Sequence, residues 1–507
     1  MKTLSHLTRI SKFARNDFKL LQISGGKIIT AVWLWVAVTI GVILRWQEIF
    51  DPSLVDWDEN TSLTVASESQ QGHLPYTTTI ENKPPLALVF QTAALFISNH
   101  DLVTLRLICS ILISITGVLL GLSVCQLTQH GNWPLVLLSS TIYSFSVSSI
   151  PSGLSWGSEI NTNLIFAWLL LALTNFKKSA SLKHFYASAF LVGILPIFRT
   201  NWLPIAVLCF VYLFFLGKNK SQKFALTCWA LTPTALTIML YAAKGLGGAL
   251  YKYALEMPLF INFVSVPENR FSRPQGLDKY MLITLFFSCF AYFVSRSQRI
   301  KNFLVFLLIL LLIQYIVLTL QSPNYAHHTI QLVPFFVYSS TLFFVLVTEK
   351  FKPLKDYFII LSPIIFISII LFAKTSVLVD YEKNQNTTFV EMKQTSKWVK
   401  GFEQERVWAL NSHYIFWMNG LTPPEPYLTH PSHIFVPGFV EFVKEENRSV
   451  SDYIQKILAS GVGVFYLNPN AEDKDSNLEL LQALLLKEGY FENVKYFAGK
   501  KYSYWKK

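Results

Sequence analysis

Four consecutive residues, Asp56-Trp57-Asp58-Glu59, place three carboxylates in a short polar stretch behind a long apolar run, and Lys83-Pro84-Pro85 follows shortly after. A carboxylate crowded by other carboxylates has raised proton affinity, which suits it to take a proton from an attacking hydroxyl. Proline confines the residue before it to extended geometry, so Lys83 is aimed and can meet a phosphate at headgroup level. Each feature also has a plain reading, since loop carboxylates are usually just solvated and interface lysines snorkel. Glu159, behind Gly157-Ser158, opens an apolar run, where an ionisable side chain is either functional or a partner for the helix dipole. Arg199, in a tight turn between two apolar runs, suits a phosphate clamp or an interface anchor, and Arg106 opens another run in the same way. His327 and His328 could bind a phosphate, orient a sugar or ligate a metal. Neighbouring side chains alternate direction on most backbones, so at most one of the two histidines is expected to face a site. The stretch 244–278 carries Glu268, Arg270 and Arg273 around two prolines and reads as a cover over a cavity or as a plain loop.

The elements that must position these groups are mostly membrane spans. The chain has 507 residues, 52% hydrophobic and only 15% charged, with mean hydropathy +0.38, against about 25% charged residues in soluble proteins. Apolar runs of about twenty residues recur from Ile28 to Lys374. The net charge of +12 does not indicate a nucleic-acid partner, because the basic residues sit in short clusters between the runs, as the positive-inside rule requires. All five cysteines fall inside apolar segments, which argues against disulfides and thiolate metal sites. The basic N-terminus has no small-residue cleavage pattern behind its first apolar run, which reads as a retained span.

Placing the N-terminus and the clusters at Lys177–Lys183, Lys218–Lys223, Arg296–Lys301 and Lys350–Lys355 on the cytoplasmic side fixes the parity of the spans. About eleven spans result: 28–47, 103–126, 133–150, 159–176, 184–198, 200–216, 224–243, 279–295, 302–320, 329–348 and 356–374. Leu86–Ser98 is too short to cross and reads as a juxtamembrane or re-entrant helix. The candidate chemical groups then all fall on the external side. From about Val379 the composition turns soluble, with β-like runs at Val407–Leu410, Val462–Leu467 and Val494–Phe497 and helical patterns at 451–459 and 476–488. The expected organisation is a cytoplasmic segment 1–27, a polytopic α-helical membrane domain 28–378 with an external loop 48–102, and an extracytoplasmic α/β domain 379–507.

Asp58-Glu59, Gly72 to Pro75-Tyr76 and Lys83-Pro84-Pro85-Leu86 together resemble the first external loop of the GT-C glycosyltransferases that use polyprenyl- or dolichyl-phosphate sugars, such as protein O-mannosyltransferases and lipid A aminoarabinose transferases. The resemblance continues through Arg106-Leu107, Glu159, His328 with Gln331-Leu332-Val333-Pro334, and Tyr414–Gly420 followed by Leu421-Thr422-Pro423-Pro424. It departs from the family at Glu159, where Asp is commoner, and at Thr61, where the aminoarabinose transferases carry arginine.

The resemblance implies a GT-C fold and an inverting transfer of a sugar from a polyprenyl phosphate to an acceptor hydroxyl or phosphate at the external membrane face. Asp58 would be the general base, with Glu59 supporting it or taking that role, and Glu159 the second acid. Lys83, Arg199 and Arg106 would bind the donor phosphate, and Tyr76, His327 and His328 would orient substrate. No cofactor is required; a divalent metal is compatible with the histidines and Asp56. The partners are the lipid-linked donor, a glycan, lipid or protein acceptor and the membrane itself, and the placement is a bacterial inner membrane. A lipid-linked glycan transporter or flippase would bury ionisable residues near the midplane and show internal repeats, neither of which the spans carry. A glycan polymerase or ligase using a diphosphate donor would carry a long arginine-rich external loop, and 244–278 has only Arg270 and Arg273.

Overall fold

The computed structural model describes residues 26–46, 49, 57–129, 133–150, 153, 155–263, 276–321, 326–350, 389–402, 406–410, 412–424, 427–428, 449–467, 476–497 and 500–506. Among these the first ten expected spans each coincide with a helix: α1 (Gly26–Leu44), α4 (Leu102–Thr128), α5 (Trp133–Ser148), α6 (Ser158–Ser179), α7 (Leu182–Phe198), α8 (Leu203–Leu216), α9 (Lys220–Ala243), α10 (Leu277–Val294), α11 (Gln298–Leu320) and α12 (Val333–Lys350). The eleventh, 356–374, lies outside the described residues, as do Asp56, Glu268, Arg270 and Arg273. Among the described residues five helices are long and apolar enough to cross a membrane: Leu102–Thr128, Lys220–Ala243, Leu277–Val294, Gln298–Leu320 and Ala326–Lys350. Large apolar side chains stand exposed around the bundle, among them Trp35, Phe215, Phe224 and Phe293, as a lipid-facing surface requires.

Close packing inside the bundle rests on small residues. A Cβ on Gly117 would lie 2.5 Å from the Ser140 Cα, and one on Gly121 2.8 Å from the Val136 Cα, so α4 and α5 meet backbone to backbone. Gly193 of α7 approaches the Ala230 carbonyl of α9 in the same manner. Such contacts replace the hydrophobic driving force that lipid removes. Buried amides tie the layers together: Asn163 on α6 donates to the Ile330 carbonyl (2.9 Å) and the Tyr143 hydroxyl (3.0 Å), and Gln314 donates to Gln331 (2.8 Å).

The segment expected as a loop after the first span contains two helices. α2 (Trp57–Gln70) begins with Asp58 and Glu59 in its first turn, where the helix dipole favours carboxylates. Its buried face is largely polar, including Asn60, Thr61, Ser62, Thr64, Ser67 and Glu68. The short element over Leu86–Ser98 is a 3-10 turn, Pro85–Leu88, running into α3 (Val89–Ser98), which Asn99 ends in the left-handed conformation. At 1.5 Å per residue it is far shorter than a bilayer core of about 30 Å.

The C-terminal region is a four-stranded sheet in the order β2-β4-β6-β5, formed by β2 (Val407–Ala409), β4 (Gly463–Leu467), β5 (Phe491–Phe497) and β6 (Lys500–Lys506). β2 and β4 are parallel and the other pairs antiparallel. Helices α13 (Phe389–Lys400), α14 (Tyr414–Asn419), α15 (Val450–Leu458) and α16 (Ser476–Lys487) accompany the sheet. The region is fastened to the first loop at several points. β1 (Thr79–Ile80) pairs in parallel with β3 (Tyr427–Leu428). Trp417 Nε1 donates to Asn60 Oδ1 (3.0 Å), Thr64 Oγ1 donates to the His413 carbonyl (3.2 Å), and the His100 ring contacts the Trp417 carbonyl through Nδ1 (2.6 Å).

Candidate active site

Five residues distant in sequence meet at one end of the bundle. Lys83 Nζ lies 3.1 Å from Asp58 Oδ1. His327 Nε2 lies 3.3 Å from Asp58 Oδ2 and 3.6 Å from Glu159 Oε1. Arg199 Nη1 reaches Glu159 Oε1 at 2.5 Å and also donates to the Ser158 hydroxyl at 2.6 Å. Acid and base therefore alternate from Lys83 through Asp58, His327 and Glu159 to Arg199. The side chains differ in access: Asp58 is 24% exposed while Glu159 is 3% exposed, so Asp58 is the acid an incoming group can reach.

Each member is held by its own element. Asp58 rides on the first turn of α2. Gly157 caps α6 and leaves room for Glu159 to curl back toward Ser158, since a Cβ at position 157 would sit 2.6 Å from Glu159 Oε2. Arg199 ends α7 in an extended conformation before the 3-10 turn Thr200–Trp202. Lys83 is aimed by a locked loop: Tyr76, at φ 74°, accepts backbone strain, bonds its N–H to the Thr79 carbonyl (3.0 Å) and donates its hydroxyl to the Lys83 carbonyl (2.5 Å). Tyr76 thus acts here on the lysine's backbone. Burial opposes the Lys83 charge, but Asp58 and Glu81 more than offset it and raise its pKa. Burial and the neighbouring Tyr241 and Glu81 likewise push the Tyr76 hydroxyl up.

The sequence expectations divide at this point. Asp58, Lys83, Glu159, Arg199 and His327 come together. Glu59 and Arg106 do not join them; they form a buried ion pair of their own, Arg106 Nη2 to Glu59 Oε2 at 2.6 Å, with both side chains almost wholly inaccessible. Glu59 Oε1 also accepts the Trp156 backbone N–H at 2.9 Å. On an α-helix each residue rotates the side-chain direction by about 100°, so Asp58 and Glu59 face different surroundings. The expectation that at most one histidine faces the site is also corrected. Both lie on the 3-10 segment Ala326–Leu332, their rings 4.6 Å apart edge to face, and His328 offers a nitrogen within 4.8 Å of Glu159 and His327. A 3-10 turn rotates about 120° per residue and does not alternate as a strand does.

Two contributors escaped the sequence reading. Glu81, nearly fully buried, sits with Oε1 3.9 Å from Lys83 Nζ, and Ser158 shares Arg199 with Glu159. Neither lies in a spacing pattern that signals chemistry. Glu159, His327 and His328 form an oxygen-plus-imidazole set that suits a zinc-like divalent ion. Such an ion would compete with Arg199 for the Glu159 carboxylate.

No protein-family model and no curated protein sequence matches this chain. Among solved structures, ArnT from Cupriavidus metallidurans in the apo state superposes with TM-score 0.60 at 10% identity, covering 94% of this chain and 98% of that one. ArnT from the same organism bound to undecaprenyl phosphate gives TM-score 0.59 at 10% identity, over 95% and 98% of the two chains. The Archaeoglobus fulgidus oligosaccharyltransferase in the apo form gives 0.51 at 12% identity, over 94% of this chain and 74% of that one. Helices, first loop and C-terminal sheet together therefore have the fold of the GT-C glycosyltransferases.

Proposed function

We propose that the protein is an inverting glycosyltransferase that moves a sugar from a polyprenyl phosphate to an acceptor hydroxyl or phosphate at the external membrane face. The observation that carries the reading is the convergence of Asp58, Lys83, Glu159, Arg199 and His327 within a chain of GT-C fold. One structural neighbour is bound to undecaprenyl phosphate, a lipid phosphate of the class proposed here as leaving group. In this reading Asp58 takes the acceptor proton while the acceptor oxygen attacks the anomeric carbon. The carbon–oxygen bond to phosphate breaks on the opposite face, and the lipid phosphate leaves carrying the bonding electrons. Lys83 and Arg199 stabilise the charge that develops on it, the kind of preorganised electrostatic contribution that dominates many enzymatic rate enhancements. His327 bridges the two acids and orients Asp58.

The test is transfer of radiolabelled sugar from a synthetic polyprenyl-phosphate donor to an envelope extract by the purified protein. Asp58→Asn is expected to lower transfer at least about a hundredfold, the range of a lost general base, with unchanged thermal unfolding. Near-normal transfer by that variant would refute the role of Asp58, and absence of transfer from every lipid-phosphate sugar by the unmodified protein would refute the function.

A further inference from the structure

A second constellation occupies the other end of the bundle, remote from the carboxylates. Lys177 lies in the last turn of α6, whose first turn carries Glu159, and Arg299 lies in the first turn of α11. Arg299 and Phe303 are four residues apart on one helix and share a face. Lys177 Nζ stands over the Phe303 ring, 5.3 Å from its centre, and over the Tyr212 ring at 5.2 Å. The Tyr338 ring lies 5.7 Å from Phe303. Tyr212 stacks on Phe306, 4.1 Å away and itself 6.0 Å from Phe303, so lysine, arginine and two tyrosines gather around this pair of rings, and the Arg299 charge bears on both Lys177 and Tyr338.

Most of these donors have no acceptor among the described residues. Arg299 Nε and Nη2 and the Tyr212 hydroxyl are buried without a hydrogen-bond partner there, while the Tyr338 hydroxyl lies beside the Ser123 side chain. Among the described residues Lys177 meets the faces of the two rings. Its exposed neighbour Lys178, by contrast, is satisfied by Gln126 at 2.9 Å. A buried donor left unmade costs about 1–3 kcal/mol, and two unpaired like charges side by side add repulsion. One group with several acceptor oxygens and negative charge would relieve all of it. Arginine's planar fork matches such a group, and a cationic recess between membrane helices at the basic, cytoplasm-type end is where anionic headgroups bind.

We propose that Lys177, Arg299, Tyr212 and Tyr338 form a phosphate-binding site, occupied by a phosphate group of an anionic lipid headgroup or by a free phosphate. The site is independent of the transfer chemistry and involves none of its residues.

Purified full-length protein, stripped of lipid by detergent exchange, would be titrated separately with phosphatidylglycerol micelles, phosphatidylcholine micelles and inorganic phosphate, reading thermal midpoint and lipid retention in native mass spectrometry. Phosphatidylglycerol is expected to bind and stabilise, phosphatidylcholine not, and the Lys177→Gln/Arg299→Gln variant to bind at least tenfold more weakly, with Lys178→Gln unchanged. Stabilisation by inorganic phosphate alone, lost in the same double variant, assigns the site to a free phosphate. Binding of both anionic probes by the double variant as by the unmodified protein, or binding of neither by the unmodified protein, overturns the site. Should the double variant fail to fold, Lys177→Gln and Tyr338→Phe singly read the same titration, each expected to weaken binding at least threefold; unchanged affinity in both has the same overturning force.

Discussion

Arg106→Leu gives the sharpest separation between a structural and a chemical role. Arg106 and Glu59 are only 2% and 1% exposed and meet at 2.6 Å. Removing the guanidinium takes the ion-pair partner from a carboxylate in the core, which costs about 3–5 kcal/mol. Glu59→Gln takes the ion-pair partner from the arginine instead, with a similar cost. The double variant Glu59→Gln/Arg106→Leu removes both charges, and the new amide oxygen still accepts the Trp156 N–H that Glu59 now holds at 2.9 Å. Replacing a buried pair by uncharged groups is often close to neutral. The interaction free energy of the cycle should therefore reach about 3 kcal/mol, the upper end for coupled neighbours. Denaturant unfolding in detergent measures the three variants, and transfer per folded molecule is recorded below the unfolding range. The expected result is a destabilised Arg106→Leu protein whose folded fraction still transfers sugar, with stability restored in the double variant. An Arg106→Leu protein of normal stability and abolished transfer would refute the reasoning and return Arg106 to the donor phosphate.

Lys83 has a raised pKa, so its charge-dependent contribution is complete below the unfolded value, about 10.4, and is lost only as pH climbs through the higher folded value; the ratio of donor KM between the unmodified protein and Lys83→Met should stay flat from about pH 6 to 9, and a titration of that ratio within the window would contradict the ion pair with Asp58. Trp417→Phe deletes the donor to Asn60 Oδ1 and should cost about 1–3 kcal/mol, seen as faster proteolytic release of the C-terminal region with kcat falling more than KM changes; unchanged cleavage would mean the contact does not fasten the domain. Gly117→Ala drives a Cβ against the Ser140 Cα and should destabilise by about 1–3 kcal/mol, which thermal unfolding checks; a neutral effect would mean α4 and α5 can part freely.

The apolar segments were legible because a twenty-residue span leaves a compositional trace that survives without any tertiary knowledge. Asp58, Lys83, Glu159, Arg199 and His327 were legible because ionisable groups at the mouths of apolar runs have few structural reasons to be there. The helix over Trp57–Gln70 was not, since its buried face is built from Asn60, Thr61, Ser62, Thr64 and Ser67 and so carries no apolar stripe. The Glu59–Arg106 pairing depends on the direction a side chain takes within one turn, which adjacency in the sequence does not encode. Glu81 enters through the fold of a loop whose shape is fixed from elsewhere, by Tyr76 and by the pairing with Tyr427–Leu428.

That pairing has a consequence for biogenesis. Thr79 and Ile80 immediately precede Glu81 and Lys83, and their strand partners are residues 427 and 428, while Asn60 waits for Trp417. The ribosome delivers these halves more than three hundred residues apart, and at about 5–20 residues per second the interval is at least some fifteen seconds. During that time the membrane helices can already insert and pack, yet the loop that aims Lys83 lacks its second strand. A nascent chain is consequently a membrane body with an unassembled candidate site, and that site is completed only when the region that closes it emerges.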